Sequence, residues 1–113
     1  MAQNTNYIWY QYADGILVIQ MQPPTNIGGQ EFVFKVANRF GSEAPFLTKS
    51  TASGYGAGQS GITVFNSGQG TLNIRLNAVD FSGRDPINYA TWTNRQDSGQ
   101  QTPVTRGFLT LRL

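Results

Sequence analysis

The stretch Thr71-Leu72-Asn73-Ile74-Arg75-Leu76-Asn77 alternates aliphatic and polar residues without interruption. Side chains along a strand point to opposite faces in turn, so Leu72, Ile74 and Leu76 share one face and Thr71, Asn73, Arg75 and Asn77 the other. The aliphatic face requires a core, and the polar face meets water or a partner. The same two-residue period recurs along the chain. Phe32, Phe34 and Val36 alternate with Glu31, Val33 and Lys35, and Tyr89, Thr91 and Thr93 with Ala90 and Trp92. Leu109, Leu111 and Leu113 alternate with Thr110 and Arg112. No segment carries a helical period, and no internal repeat or charged linker divides the chain.

The segments between these strands are rich in turn formers. Asp14-Gly15 is a hairpin signal, because such turns need positive φ, and it predicts that Tyr7–Tyr12 pairs with Ile16–Met21. Ile16-Leu17-Val18-Ile19 is nearly continuous in apolar residues, which predicts a strand covered on both faces. Pro23-Pro24 cannot join a central ladder, since proline lacks the backbone donor, and reads as a crossing between sheets. The Gly/Ala/Ser-rich run 50–60, with Tyr55 at its centre, reads as a second crossing and as a mobile surface loop. Residues 80–86 form a connection with room for one helical turn. Some seven or eight strands divided in this way predict an all-β fold: one antiparallel β-sandwich spanning residues 1–113.

Composition narrows the chemistry. Charged residues make up 12% of the 113 residues, with a net charge of +2. The eight lysines and arginines form no run, which argues against a nucleic-acid partner. Histidine and cysteine are absent. That removes Ser-His-Asp and Cys-His arrangements, the usual zinc sites and the commonest general base. Asp80 and Asp85 lie close in sequence but within a turn region, where turn stabilisation is the expected role. Gly54-Tyr55-Gly56-Ala57-Gly58 has neither the following helix nor the Lys-Ser/Thr of a nucleotide loop. The expectation is a chain that is not an enzyme and holds no cofactor or metal. Residues 1–6 carry no basic segment and no apolar run, so no signal peptide is expected, and no window is long and apolar enough for a membrane-spanning helix.

Aromatic residues are the best handle on binding. Alternation places Tyr7 and Trp9 on one face of their strand and Ile8, Tyr10 and Tyr12 on the other, so one set lies outside the core. Tyr7, Trp9, Tyr10, Tyr55, Arg75, Trp92 and Arg112 are the candidate partner contacts, since tyrosine, tryptophan and arginine are enriched at interfaces. The N-terminal aromatic strand, the 50–60 loop and the edge of the C-terminal strand are the expected contact surfaces. Exposed Trp9 or Trp92 stacking on a sugar ring, as in a carbohydrate-binding module, is the alternative use.

The second half of the chain adds a resemblance. It passes through Ser60-Gly61-Ile62-Thr63-Val64, Gly68-Gln69-Gly70-Thr71-Leu72-Asn73-Ile74-Arg75-Leu76 and Val79-Asp80. It continues through Pro86-Ile87-Asn88-Tyr89, Arg95-Gln96-Asp97-Ser98-Gly99 and Thr105-Arg106-Gly107-Phe108-Leu109-Thr110-Leu111. This resembles the N-terminal immunoglobulin-like domain of phage upper baseplate proteins and related tail-fibre attachment domains. The resemblance implies a non-enzymatic virion component that docks a host-recognition module onto a tail. It further implies other virion proteins as partners, symmetric repetition within an assembly, and no catalytic residue or cofactor.

Overall fold

The computed structural model describes residues 3–40, 44–51, 61–97 and 100–113. Among the described residues nine strands occur in the order β1 (Gln3–Asn4), β2 (Tyr7–Tyr10), β3 (Gly15–Gln20), β4 (Glu31–Ala37) and β5 (Leu47–Ser50), then β6 (Ile62–Asn66), β7 (Thr71–Leu76), β8 (Asn88–Asp97) and β9 (Gln100–Arg112). A 3-10 turn at Ala78–Phe81 links β7 to β8.

The strands form two sheets. Sheet A has six strands in the order β1-β9-β8-β4-β5, with β2 also on β9; sheet B has three, in the order β3-β7-β6. The pairings are antiparallel except that β1 and β2 run parallel to β9. The all-β sandwich expected from the alternation is therefore present.

The opening strand behaves as its pattern requires. Leu72, Ile74 and Leu76 on β7 are fully buried, and β3 and β6 flank them with Leu17, Ile19 and Ile62. From sheet A they meet Phe32, Phe34, Val36, Tyr89, Leu109 and Leu111 in one core. Each such side chain contributes about 1.5–3 kcal/mol when fully removed from water. The crossing expected at Pro23-Pro24 is present, since that segment carries the chain from sheet B to sheet A. Strands β5 and β6 lie in different sheets, and the Gly/Ala/Ser-rich run between them lies, beyond Thr51 and before Gly61, outside the described residues.

Three expectations are corrected. Tyr7–Tyr10 does not pair with β3; it adds to β9 in the other sheet. Asp14-Gly15 makes no hairpin turn, since Gly15 is not among the glycines with positive φ. Instead Asp14 Oδ1 accepts a hydrogen bond from Ala78 N–H (2.7 Å), and the Trp9 ring lies against Gly15, where a Cβ would come within 3.3 Å of it. Second, β3 is not covered on both faces: Ile16 and Val18 are 43% and 55% exposed. Third, the C-terminal strand is not an edge, because β8 flanks β9 on one side and β1 and β2 on the other.

Candidate functional site

The outer face of sheet A brings exposed aromatic and cationic side chains together. It follows from the register. With Leu109 and Leu111 inward, Arg106, Phe108, Thr110 and Arg112 turn outward from β9. Trp92 stands opposite Arg106 and Ala90 opposite Phe108 on β8. Ile8 stands opposite Thr110 and Tyr10 opposite Arg112 on β2.

One half of this face is roofed by the chain itself. Phe40, just beyond β4, packs its ring edge-on to Phe108 at 5.3 Å and tilted to Trp92 at 6.2 Å. The Arg106 guanidinium sits 4.1 Å above the Phe40 ring, in cation–π geometry. Ala37 and Ala90, on the same outward side, are buried. The other half is open: Ile8 and Tyr10 are each about half exposed, as is Phe108 at the boundary between the halves, and Arg112 is exposed beside Tyr10. An apolar strip rimmed by arginine is a recognised interface composition.

The sequence candidates therefore separate. Tyr10, Trp92 and Arg112 share the outer face of sheet A, with Trp92 half-buried beneath Phe40. Arg75 is exposed on the outer face of sheet B, opposite Ile16. Tyr7 and Trp9 turn inward and pack against the core. The Trp9 indole N–H is buried without a partner. The Tyr7 hydroxyl is buried and lacks a well-formed hydrogen bond. Loss of water pushes its pKa up to about 12, against the opposing pull of Thr105 and Thr5. Tyr55 lies outside the described residues.

Sequence reasoning missed Ile8, Phe40, Arg106 and Phe108. Three of them were available from the alternation, since residues 106 and 108 oppose the inward leucines and Ile8 accompanies Tyr10. Phe40 gave no signal, because it reaches the face from a turn.

Asp80 also has a clear role. Its Oδ2 forms an ion pair with Lys49 Nζ (3.1 Å) and accepts a hydrogen bond from Asn77 N–H (2.7 Å). Lys49 lies on the inner face of β5, opposite Phe34, and both charged side chains are largely buried. The pair ties the edge of sheet A to the connection leaving sheet B. A cleft of about 250 Å³ opens elsewhere between the sheets, lined by Gln3, Gln22, Thr25 and Gln30 with Met21, Ile27, Phe32 and Val104. Among the described residues no group of three or more acidic side chains is placed to hold a metal ion. No helix of the described residues is long and apolar enough to cross a membrane.

No protein-family model matches the chain, and no curated protein matches it. Among solved structures it is similar to the N-terminal domain of phage TP901-1 ORF48, with a TM-score of 0.63 at 11% sequence identity. The alignment covers 100% of this chain and 91% of that one. The shared feature at that identity is the fold, over the whole length of the chain. The likeness to a phage N-terminal domain that the strand wording suggested is found at the level of structure.

Proposed function

We propose that this chain is a non-enzymatic structural component of a bacteriophage particle, an adaptor of the tail, baseplate or fibre attachment that acts through protein–protein contacts. The observation that carries the reading is the fold likeness to a phage N-terminal domain along the entire chain. The outer face of sheet A supports it. Its open half presents Ile8, Tyr10 and Phe108 with Arg112, a surface suited to burial against another protein. Uncharged aromatic and aliphatic groups there can be buried without the desolvation cost of ions.

Mechanically, an adaptor needs a rigid body and a committed surface. Strands β8 and β9 pair along ten registered positions and hold Phe108 and Arg112 in fixed relation to Tyr10. A stable specific contact buries about 1,200–2,000 Å² in total, so the strip serves as a central patch and its polar surround as the rim.

The test is incorporation. Particles of the encoding phage are labelled with an antibody to this chain and imaged by electron microscopy. Label at the tail tip supports the reading, and purified particles that lack the chain overturn it. In the same phage, Tyr10→Ala with Arg112→Ala is expected to reduce incorporation at least tenfold while the variant remains folded; undiminished incorporation would remove this face from the contact. Titration of the pure protein with host-surface glycans, read by tryptophan fluorescence, tests the carbohydrate alternative separately.

A further inference from the structure

An exposed sheet edge is a template for another strand, and folded proteins blunt such edges with short strands, bulges or inward-pointing charges. Three of the edges here are blunted. Strand β5 is four residues long and turns Lys49 inward. Strand β6 breaks register between Val64 and Asn66. The β1–β2 edge is split into pieces of two and four residues. Strand β3 differs: its six residues keep unbroken register with β7 and contain no charge and no proline.

The direction of its free backbone groups is fixed by three observations. Met21 N–H donates to Gly70 C=O at 2.9 Å, in continuation of the β3–β7 ladder, so odd-numbered residues face β7. Arg75, opposite Ile16, sends its N–H the other way, to Gly61 C=O at 2.9 Å. Gln3 Nε2 donates to Gln20 C=O at 3.0 Å from the free side. Ile16, Val18 and Gln20 therefore turn their N–H and C=O groups outward, and Gln3 closes the Gln20 end. Among the described residues nothing bonds the outward groups of Ile16 and Val18.

We infer that β3 pairs antiparallel with β3 of a second copy, about a two-fold axis at Leu17, to make one continuous sheet β6-β7-β3-β3-β7-β6. A two-fold axis perpendicular to the sheet keeps each side chain on its own face, so only registers centred on a residue are allowed. Centring on Val18 sets Ile16 against Gln20 and drives the incoming strand into the Gln3 side chain. Centring on Leu17 sets Ile16 against the partner's Val18, and Val18 against the partner's Ile16. The two outward N–H groups and two outward C=O groups of each copy then satisfy one another.

Side chains and charge fit the same arrangement. On the outer face Ile16 and Val18 of both copies become neighbouring aliphatic pairs, of the kind that stabilise sheets. No charged residue of β3 enters the pairing. The two Arg75 side chains start about 14 Å apart across the sheet and about 7 Å along it, which is about 16 Å and roughly twice the Debye length in physiological salt. A second copy is thus matched in hydrogen bonding and unopposed by charge. The pairing does not rest on the virion reading.

Sedimentation of the full chain from micromolar to millimolar concentration tests it. The expected result is a concentration-dependent dimer; a monomer throughout overturns the inference. Val18→Pro removes an outward N–H that β7 does not use, and is expected to weaken dimerisation roughly tenfold or more. Val18→Lys is the companion variant, with circular dichroism to confirm that each remains folded. A dimer unaffected by either folded variant overturns the inference. The chain has no cysteine of its own. Leu17→Cys is expected to form an intermolecular disulfide on oxidation, because directly opposed residues of a non-hydrogen-bonded pair lie about 4.5 Å apart, within disulfide reach. Cross-linking through Val18→Cys in its place overturns the Leu17 axis.

Discussion

Sheet A and sheet B contribute to the same core from opposite sides, but they are built on different rules. The inner face of sheet B is aliphatic at Leu17, Ile19, Ile62, Leu72, Ile74 and Leu76. The inner face of sheet A mixes its phenylalanines and leucines with Lys49, Thr91, Thr93 and Thr105, all buried. The outer faces differ too. Sheet A folds Phe40 back over its own surface, whereas sheet B leaves Ile16 and Val18 bare. Simple alternation suffices to build sheet B. Sheet A also depends on contacts made by residues far away in sequence, and those contacts are where it can be broken.

The largest expected effect is at the Lys49–Asp80 pair. Asp80→Ala leaves a lysine buried against Phe34 without its counter-charge, at a cost of about 3–5 kcal/mol. Urea unfolding measures it directly. Replacing both partners, Lys49→Met with Asp80→Asn, is expected to recover most of the loss, because no charge is then buried. By contrast Ile74→Val on sheet B deletes one methylene from an aliphatic face and costs about 0.5–1.5 kcal/mol. Equal effects at the two sites would erase the distinction between the sheets.

Next in size is Gly107→Ala. A Cβ at Gly107 would collide with the Thr5 carbonyl, where the N-terminal segment passes over β9 between β1 and β2. Asn6 Oδ1 accepts the Phe108 N–H at 3.0 Å at the same place. The added methyl is expected to cost about 1–3 kcal/mol as overpacking. It is also expected to release β1 and β2, seen as faster amide exchange in residues 3–10 while β7 stays protected. Uniformly faster exchange would mean that the N-terminal edge is not a separable part of sheet A.

Tyr7 gives the comparison a pH axis. Its folded pKa of about 12 lies above the ordinary 10, so the folded state keeps a proton that the unfolded chain loses between those values. The contribution is whole below about pH 10 and is lost as pH rises toward about 12. Tyr7→Phe is expected to be near neutral at pH 7 and to unfold less readily than the parent chain at pH 11, measured by thermal melts. No such titrating group lies in the inner face of sheet B.

The difference between the sheets also explains what could be read from the residues. Period-two alternation located the buried faces of β4, β7 and the end of β9, because burial on one side leaves a local record. Pairing left none. Tyr7–Tyr10 and Ile16–Ile19 are neighbours in sequence and belong to different sheets, a choice made by Gly107 and Asn6 on one side and by Leu72 and Ile74 on the other. Nothing local marked Lys49 as buried, because its partner Asp80 is distant in the chain. Of the candidate contact residues, Tyr10 and Arg112 met across β2 and β9, while Phe40 arrived from a turn that no periodicity describes.

The smallest effects on folding are expected at the arginines, and they separate the two outer faces most cleanly. Arg75 and Arg112 are both exposed on outward faces, so Arg75→Ala and Arg112→Ala are each expected to change unfolding free energy by no more than about 0.5 kcal/mol. Their consequences for association are expected to diverge. Arg112 borders the aromatic strip beside Tyr10, so its loss is expected to weaken the contact proposed for sheet A and to leave the proposed pairing through β3 intact. Arg75 stands next to Ile16, outside the proposed backbone pairing of β3, so its loss is expected to leave that dimer within about threefold of its original affinity. Sedimentation of both variants beside the particle-incorporation assay reads the two outcomes. A fall in dimerisation with Arg112→Ala, or a loss of incorporation confined to Arg75→Ala, would reverse the roles assigned to the two faces.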